Sequence, residues 1–157
     1  MLRERVSANI QDMASILTEK GLKVKSIAEI KFGEGKNGHD STAYTLCIQH
    51  GEMDYMVRVD HIYGTEAGDT FSIWYHLGRF NRFQMSDPQF LKVRSLWTRD
   101  HPDSYFTLGK SAKGDVILGV KCPADDVNTL ALAGTIQTLV NTIPEAQQYL
   151  KEAVKVN

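Results

Sequence analysis

Hydrophobic residues recur every three or four positions in the first part of the chain. Residues 2–20 carry an apolar stripe that is typical of an amphipathic helix and consists of Leu2, Val6, Ile10, Met13, Ile16 and Leu17. Gly21 follows Lys20, and this pair favours a helix end. Glycine adopts the left-handed conformation at low cost, and a cation suits the negative end of the helix dipole. The first predicted element is therefore a helix that stops at Gly21.

The apolar period then changes to two, which predicts strands. A weak alternation over residues 24–30 is compatible with a strand. Three stronger alternations predict strands at Thr42–His50, Tyr55–Ile62 and Phe71–Leu77. Short loops that contain glycine, at Gly51-Glu52 and over residues 64–69, separate them. We therefore expect an antiparallel meander.

A second helix is predicted to begin near Ser86-Asp87-Pro88 and to end at His101-Pro102-Asp103. Asp87 can cap this helix, and proline fits its first position. Its apolar stripe consists of Phe90, Val93, Leu96 and Trp97. A stripe of this kind packs either on the core or on a second protein surface.

The last third of the chain predicts a hairpin and a long helical stretch. The hairpin strands are Tyr105–Leu108 and Val116–Lys121, joined across residues 110–115. Helical periodicity follows from Val127, with Asp125 or Asp126 as the cap. Pro144 interrupts it, which leaves open one helix or two, the second carrying Tyr149, Leu150 and Val154.

The predicted element order is α-β-β-β-α-β-β-α, with a further strand if residues 24–30 form one. Grouped strands with helices at the ends and middle indicate an α+β fold, an antiparallel sheet of about five to six strands with helices packed on one face. No linker divides the chain, so residues 1–157 are predicted to form a single domain. The pattern does not say which face the closing helix covers.

Charge is nearly balanced, with 18 basic and 19 acidic residues and a net charge of −1. Nucleic-acid binding requires a basic surface. Arg79-Phe80-Asn81-Arg82-Phe83 interleaves arginine with aromatic residues, as in single-strand binding sites. With this net charge we interpret it as a loop whose phenylalanines enter the core, and we predict no nucleic-acid partner.

The cysteine content and the length of apolar runs bear on where in the cell the protein is expected to be. The two cysteines, Cys47 and Cys122, do not make a disulfide scaffold, and no secretory leader pattern is visible. No apolar run approaches the roughly 20 residues of a membrane-spanning helix. We expect a cytoplasmic protein with reduced thiols and no membrane partner.

Residues that commonly carry chemistry do not form a recognised motif. The glycine-rich residues 33–38 lack phosphate-loop spacing, and the five histidines lack the paired spacing of zinc ligands. Neither cysteine has the flanking signature of a nucleophile. We therefore predict no cofactor, no metal and no catalysis. The alternative is a small-molecule or enzymatic pocket between sheet and helices, for which the candidates are Asp60, His61 and His76.

Trp74 has the opposite parity to Phe71, Ile73 and Tyr75 on its strand, so it points to the other face of the sheet. An exposed aromatic residue there would suit a protein partner. The alternative is that a helix or loop covers it.

The element order is similar to that of the YbjN family and, in fold, of the type III secretion chaperones. The matching segments are Asp87-Pro88-Gln89-Phe90 at the start of the second helix, the hairpin of Tyr105-Phe106-Thr107-Leu108 with Gly114-Asp115-Val116-Ile117-Leu118, and the long closing helix. This resemblance implies a protein- or peptide-binding module that is homodimeric through the middle helix, with Phe90, Val93, Leu96, Trp97 and Trp74 as binding candidates. Secretion chaperones are typically acidic, whereas this chain has a pI near 6.5, which favours the YbjN side.

Overall fold

The computed structural model describes residues 10–33, 40–66, 68–79, 86–104, 106–110, 115–123 and 129–155. Its elements are α1 (Ile10–Glu19), β1 (Lys23–Phe32), β2 (Ser41–His50), β3 (Met53–Thr65), β4 (Gly68–Arg79), α2 (Asp87–Asp100), β5 (Thr107–Lys110), β6 (Asp115–Pro123) and α3 (Thr129–Lys155). The α+β class is confirmed. The weakly patterned segment is a full strand, β1, so four strands precede the middle helix.

Several predictions concern residues outside these ranges. They are the first turns of the opening helix with Leu2 and Val6, most of the glycine-rich loop, the aromatic–arginine segment from Phe80 to Phe83, the hairpin turn of residues 111–114, and the cap of the closing helix at Asp125 or Asp126.

The six strands form one antiparallel sheet in the order β1-β2-β3-β4-β6-β5. The β2–β3 hairpin is closed by the predicted two-residue turn, because His50 pairs with Met53 around Gly51 and Glu52. Gly51 has a φ of 63°, a conformation that costs glycine little. The meander predicted for the first half of the chain is confirmed.

Among the described residues, the hydrophobic core forms on one face of this sheet. On β3 and β4, and on β2 from Thr45 onwards, the buried residues alternate with exposed or half-buried ones, as a half-buried sheet requires. The strand residues buried in the core are Leu46, Ile48, Tyr55, Val57, Val59, Phe71, Ile73, Leu108, Val116 and Leu118. All of them lie on the face that bears the helices, called here the helix-bearing face.

The helices bury their apolar stripes against that face. The buried helical side chains are Ile10, Met13, Leu17, Phe90, Val93, Trp97, Leu132, Ala133, Ile136, Leu139, Val140, Ile143, Ala146 and Leu150. Helix α1 contacts β1 and α3, whereas α2 contacts β5 and α3. As predicted, α1 stops at Gly21, which has a φ of 88° and lets the Leu22 amide donate to the Leu17 carbonyl.

The residue that caps α2 is Ser86 and not Asp87. The Ser86 hydroxyl accepts from the Gln89 amide, and the Gln89 side chain accepts in return from the Ser86 amide. This reciprocal pair satisfies the backbone amides of Ser86 and Gln89 at the start of the helix. Asp87 instead accepts a hydrogen bond from Lys110 of the following strand at 2.9 Å.

Pro144 does not divide the closing helix, because α3 is continuous from Thr129 to Lys155. Proline removes one backbone hydrogen bond and usually kinks or ends a helix. Here Pro144 is exposed, while Ile143 and Ala146 beside it are fully buried on the same core. Packing on both sides of the proline thus holds the helix together across the lost hydrogen bond.

Two residues of α2 offer a matched test of this packing. Trp97 is 1% exposed and its indole N–H donates to the Phe106 carbonyl, whereas Leu91 of the same helix is 54% exposed. Trp97→Ala is expected to lower the free energy of unfolding by about 3–5 kcal/mol, because it leaves a large cavity. Leu91→Ala is expected to change it by less than about 0.5 kcal/mol. Urea denaturation of both variants measures the difference, and equal losses would contradict the placement of α2.

Candidate functional site

The sheet face opposite the helices, called here the open face, is lined by strand residues alone within the described part of the chain. Strand pairing arranges them in rows: Phe32–Ser41–Ile62–Thr70, Ile30–Ala43–Asp60–Ser72–Lys121, Ala28–Thr45–Arg58–Trp74–Gly119–Thr107, Ser26–Cys47–Met56 and His76–Ile117–Gly109. The face mixes apolar and polar positions.

Trp74 lies near the middle of the open face, as its strand parity predicted. Its indole N–H donates to the Asp60 carboxylate at 2.9 Å, and Asp60 also accepts from Arg58 at 2.8 Å. The Arg58 guanidinium stands 5.6 Å from the centre of the indole ring, within cation–π range. The three side chains hold one another in place, so Trp74 presents a fixed, half-buried aromatic surface.

Glycine in the neighbouring strand lets the tryptophan lie close to the sheet. Gly119 of β6 pairs with Trp74, and a Cβ atom added to it would stand 2.7 Å from the Trp74 Cβ and 3.0 Å from the Ile73 carbonyl oxygen. No real side chain tolerates the first of these distances. The position therefore requires glycine for close approach.

Apolar side chains gather at one corner of the open face. Ile30 and Phe32 of β1 are 55% and 45% exposed, Ala43 pairs with Ile30, and Ile62 of β3 lies in the same row as Phe32. We call these four residues the apolar corner. Large apolar side chains that are this exposed and this close together often mark an interaction site.

The apolar corner adjoins an edge of the sheet. β1 is the terminal strand, and no described strand pairs with its outer side. An edge strand presents backbone N–H and C=O groups to solvent and can pair with another chain. From Ser26 to Phe32 the β1–β2 register is unbroken; its one irregularity lies between Val24 and Ser26.

The predicted binding stripe on α2 is mostly inside the protein. Phe90, Val93 and Trp97 are buried, whereas Leu96 is half-buried. Leu96 and Val93 help to line a groove of about 610 Å³ between α2 and α3, with Arg99, Asp100, Glu145, Gln148, Tyr149, Glu152, Gln89 and Lys92 as the other lining residues. The groove thus has an apolar floor and a charged rim.

A hydrogen-bonded network closes one end of this groove. The Tyr149 hydroxyl donates to Asp100 at 2.6 Å, which raises the pKa of Tyr149 to about 12. Bonds from Tyr149 and Arg99 lower the pKa of Asp100. His101 stacks on Trp97 with ring centres 3.9 Å apart and contacts Glu145 at 2.9 Å. Burial acts to lower the pKa of His101, but its hydrogen bonds to the Trp97 carbonyl and Glu145 outweigh burial, and the pKa is raised.

The three residues named for an alternative small-molecule pocket do not converge. His61 is buried on the helix-bearing face, stacked on Tyr63 at 4.1 Å, with its Nε2 atom 3.4 Å from Asp69. Asp60 is the next residue on β3 and therefore points to the open face, where His76 is exposed. The sheet separates His61 from the other two.

Other candidate chemistry is sparse among the described residues. Both cysteines are free thiols, Cys47 on the open face and Cys122 on the helix-bearing face. No group of three or more histidine, cysteine, aspartate or glutamate residues in the described ranges could hold a metal ion. Within those same ranges, no helix combines the length and apolar character needed to cross a membrane.

The sequence did not point to the apolar corner. β1 shows a weak alternation because its exposed positions, Ile30 and Phe32, are as apolar as its inward-facing Val24 and Ile27. The apolar residues on both faces of β1 were the feature of the sequence that could have indicated the apolar corner. A strand with apolar residues on both faces either is buried on both faces or exposes one apolar face to solvent.

Comparison with known proteins does not assign the chain to a family. No protein-family model matches the chain, and no curated protein matches its sequence. Among solved structures it is similar to a chain of the ExsC–ExsE complex, with a TM-score of 0.49, 14% identity and coverage of 89% of this chain and 91% of that chain.

It is also similar to a chain of the complex between the Yersinia pestis type III secretion chaperone SycH and a stable fragment of YscM2, with a TM-score of 0.42, 13% identity and coverage of 86% of this chain and 97% of that chain. A fold similar to that of the type III secretion chaperones was the expectation from the sequence. At this level of similarity neither structure says what this chain binds. The resemblance to the YbjN family stays a prediction.

Gly119 and Gly109 give a matched test of how closely Trp74 packs against β6. Gly119→Ala is expected to destabilise the protein by about 1–3 kcal/mol, because the new methyl group overlaps the Trp74 side chain. Gly109 lies on the same face of the adjacent strand, where a Cβ would meet Ile117 at an ordinary 3.5 Å. Thermal denaturation should therefore show a loss for Gly119→Ala and little change for Gly109→Ala. Equal stability of the two variants would place Trp74 elsewhere.

Proposed function

We propose that this chain is a non-catalytic protein-binding module that takes an extended segment of a partner along the outer edge of β1, next to the apolar corner. The observation that carries the proposal is the coincidence of a sheet edge with which no described strand pairs and exposed Ile30 and Phe32 on that same strand. Backbone pairing would supply affinity, and side-chain contacts on the open face would supply specificity.

The geometry of β1 suits an added strand. Ser26 to Phe32 is long enough for a typical strand pairing of about five to six residues. In an added strand every second side chain would lie on the open face, beside Ile30 and Phe32. We infer that the partner carries apolar residues at alternate positions.

Charges on β1 disfavour pairing of this strand with itself. Lys23, Lys25 and Lys31 are exposed along it, with Glu29 as its only acidic residue. Lysines on an edge strand hinder association between identical edges, because two copies bring like charges together. Lys25 pairs with Asp54, and Lys31 lies 3.8 Å from Glu29. A partner segment with acidic residues among its apolar ones would avoid the repulsion that a second β1 meets.

Selection from a displayed library of random peptides tests the edge proposal. Peptides of about ten residues are long enough to span β1. Enriched peptides are expected to alternate apolar residues and to lose binding when N-methylated on the backbone. Ile30→Asp and Phe32→Asp should each weaken binding about tenfold or more, because an unpaired carboxylate in an apolar contact costs over about 1.4 kcal/mol.

Leu130→Asp is the matched control, since Leu130 is an exposed leucine, 62% accessible, on α3. It should leave peptide affinity unchanged. Failure to enrich any peptide would overturn the edge proposal, and so would peptides that bind Ile30→Asp and Leu130→Asp equally well.

We also propose that the module is a homodimer through α2. Phe90, Val93 and Trp97 are already buried in the chain's own core, so Leu96, which is half-buried, is the member of the predicted stripe that remains available to a second copy. Leu96 lies in the groove between α2 and α3, and an apolar residue inside a charged rim suits a helix-to-helix contact.

Light scattering after size exclusion tests the dimer. The wild type is expected to elute as a dimer, and Leu96→Glu as a folded monomer, because a carboxylate at the contact is unpaired. Leu130→Glu should remain dimeric. A wild type that is monomeric at every concentration, or a Leu96→Glu variant that stays dimeric, would rule out an α2 interface. The edge proposal would survive either result.

A further inference from the structure

His101 occupies the C-terminal cap of α2 and joins it to α3. Its backbone N–H and its Nδ1 atom both meet the Trp97 carbonyl oxygen, at 3.0 and 2.9 Å. Its Nε2 atom lies 2.9 Å from the Glu145 carboxylate, 44 residues further along the chain. The side chain is only 17% exposed.

The two ring contacts together require a proton on each nitrogen of the imidazole. A carbonyl oxygen and a carboxylate can only accept hydrogen bonds. A neutral imidazole has one N–H, so it can donate to one of them and must turn a lone pair towards the other. The imidazolium form donates to both. The observed geometry is therefore that of a protonated His101.

The surroundings of the ring favour that charge. From α2, Asp100 adds negative potential and the helix C-terminus adds its partial negative charge. From α3, Glu145 accepts directly, and Tyr149 packs its ring against His101 at 5.5 Å while donating its own proton to Asp100. The flat face of Trp97 lies against the imidazole, which suits a cation. Arg99 is directed to Asp100 at 2.9 Å.

We propose that His101 is a proton-operated clamp between α2 and α3, closed as the imidazolium and opened by loss of one proton. The neutral ring keeps a single N–H donor, so either the link to Glu145 or the link to the Trp97 carbonyl breaks. Glu145, Tyr149 and Asp100 all line the groove between the two helices. Opening the clamp therefore changes one wall of that groove.

The direction of the pH dependence follows from the raised pKa of His101. The clamp's contribution to stability is complete below the unfolded-state pKa of about 6.5. It is lost as the pH rises through the higher folded-state value. The protein should hold α2 and α3 together more firmly in mildly acidic than in mildly alkaline solution.

Nuclear magnetic resonance of the histidine ring protons tests the proposal on the intact chain. The His101 resonance, assigned by its absence from His101→Gln, should titrate with a midpoint above about 6.5. Glu145→Gln should move that midpoint to lower pH. Glu152→Gln, on the same helix but bonded to Gln148, is the matched control and should leave the midpoint unchanged. A midpoint at or below about 6.5, or equal midpoints in the two variants, would overturn the clamp.

Tryptophan emission gives a second readout of the proton on the imidazole stacked against Trp97. A protonated imidazole stacked on an indole quenches its fluorescence, so Trp97 emission should rise with the midpoint seen for His101. Trp74→Phe removes the second tryptophan, and His101→Phe in that background should abolish the transition. An emission that stays constant through the His101 titration would mean that the imidazole stacked on Trp97 does not change its protonation there, and the clamp proposal would fail.

Discussion

Burial of one face of the antiparallel sheet is the constraint on which the rest of the structure depends. The apolar stripes of the helices cover that face, and every strand residue of the core lies on it. Because side chains alternate along a strand, the same register that buries Leu46, Val57 and Ile73 directs their neighbours to the other side. The open face, with Trp74 at its centre, is a direct consequence of how the core forms.

The strands that could be predicted from the sequence are those in which apolar and polar residues alternate most clearly. β2, β3 and β4 have apolar residues on one parity, and their strands, turns and antiparallel order were all predicted. β1 was uncertain because Ile30 and Phe32 are apolar on the exposed parity and because the register shifts between Val24 and Ser26. The interruption predicted at Pro144 does not occur for a different reason. Proline removes a backbone hydrogen bond and favours a break, but tertiary packing on both sides of it keeps the helix continuous.

The candidate site was predictable only where one strand defines it. Strand parity alone placed Trp74 on the open face. The apolar corner needs residues from three strands, and Ala43 and Ile62 join Ile30 and Phe32 only through the pairing register, which the sequence does not specify. The stripe on α2 was predicted correctly as a stripe. Its periodicity is the same whether it packs on a core or on a second copy, so the sequence could not separate the two.

The attachment of α2 combines a strong apolar contact with a weaker charged one. Truncation of a buried tryptophan such as Trp97 costs about 3–5 kcal/mol, whereas a histidine cation at a helix C-terminus contributes up to about 2 kcal/mol in favourable cases. Loss of the His101 proton therefore cannot displace the helix, since Trp97, Phe90 and Val93 stay buried. It can change how the last turn of α2 meets α3. The sheet edge at β1 lies at the opposite end of the strand order from β5, which α2 contacts, so a proton at His101 would act on the groove and leave the edge unchanged.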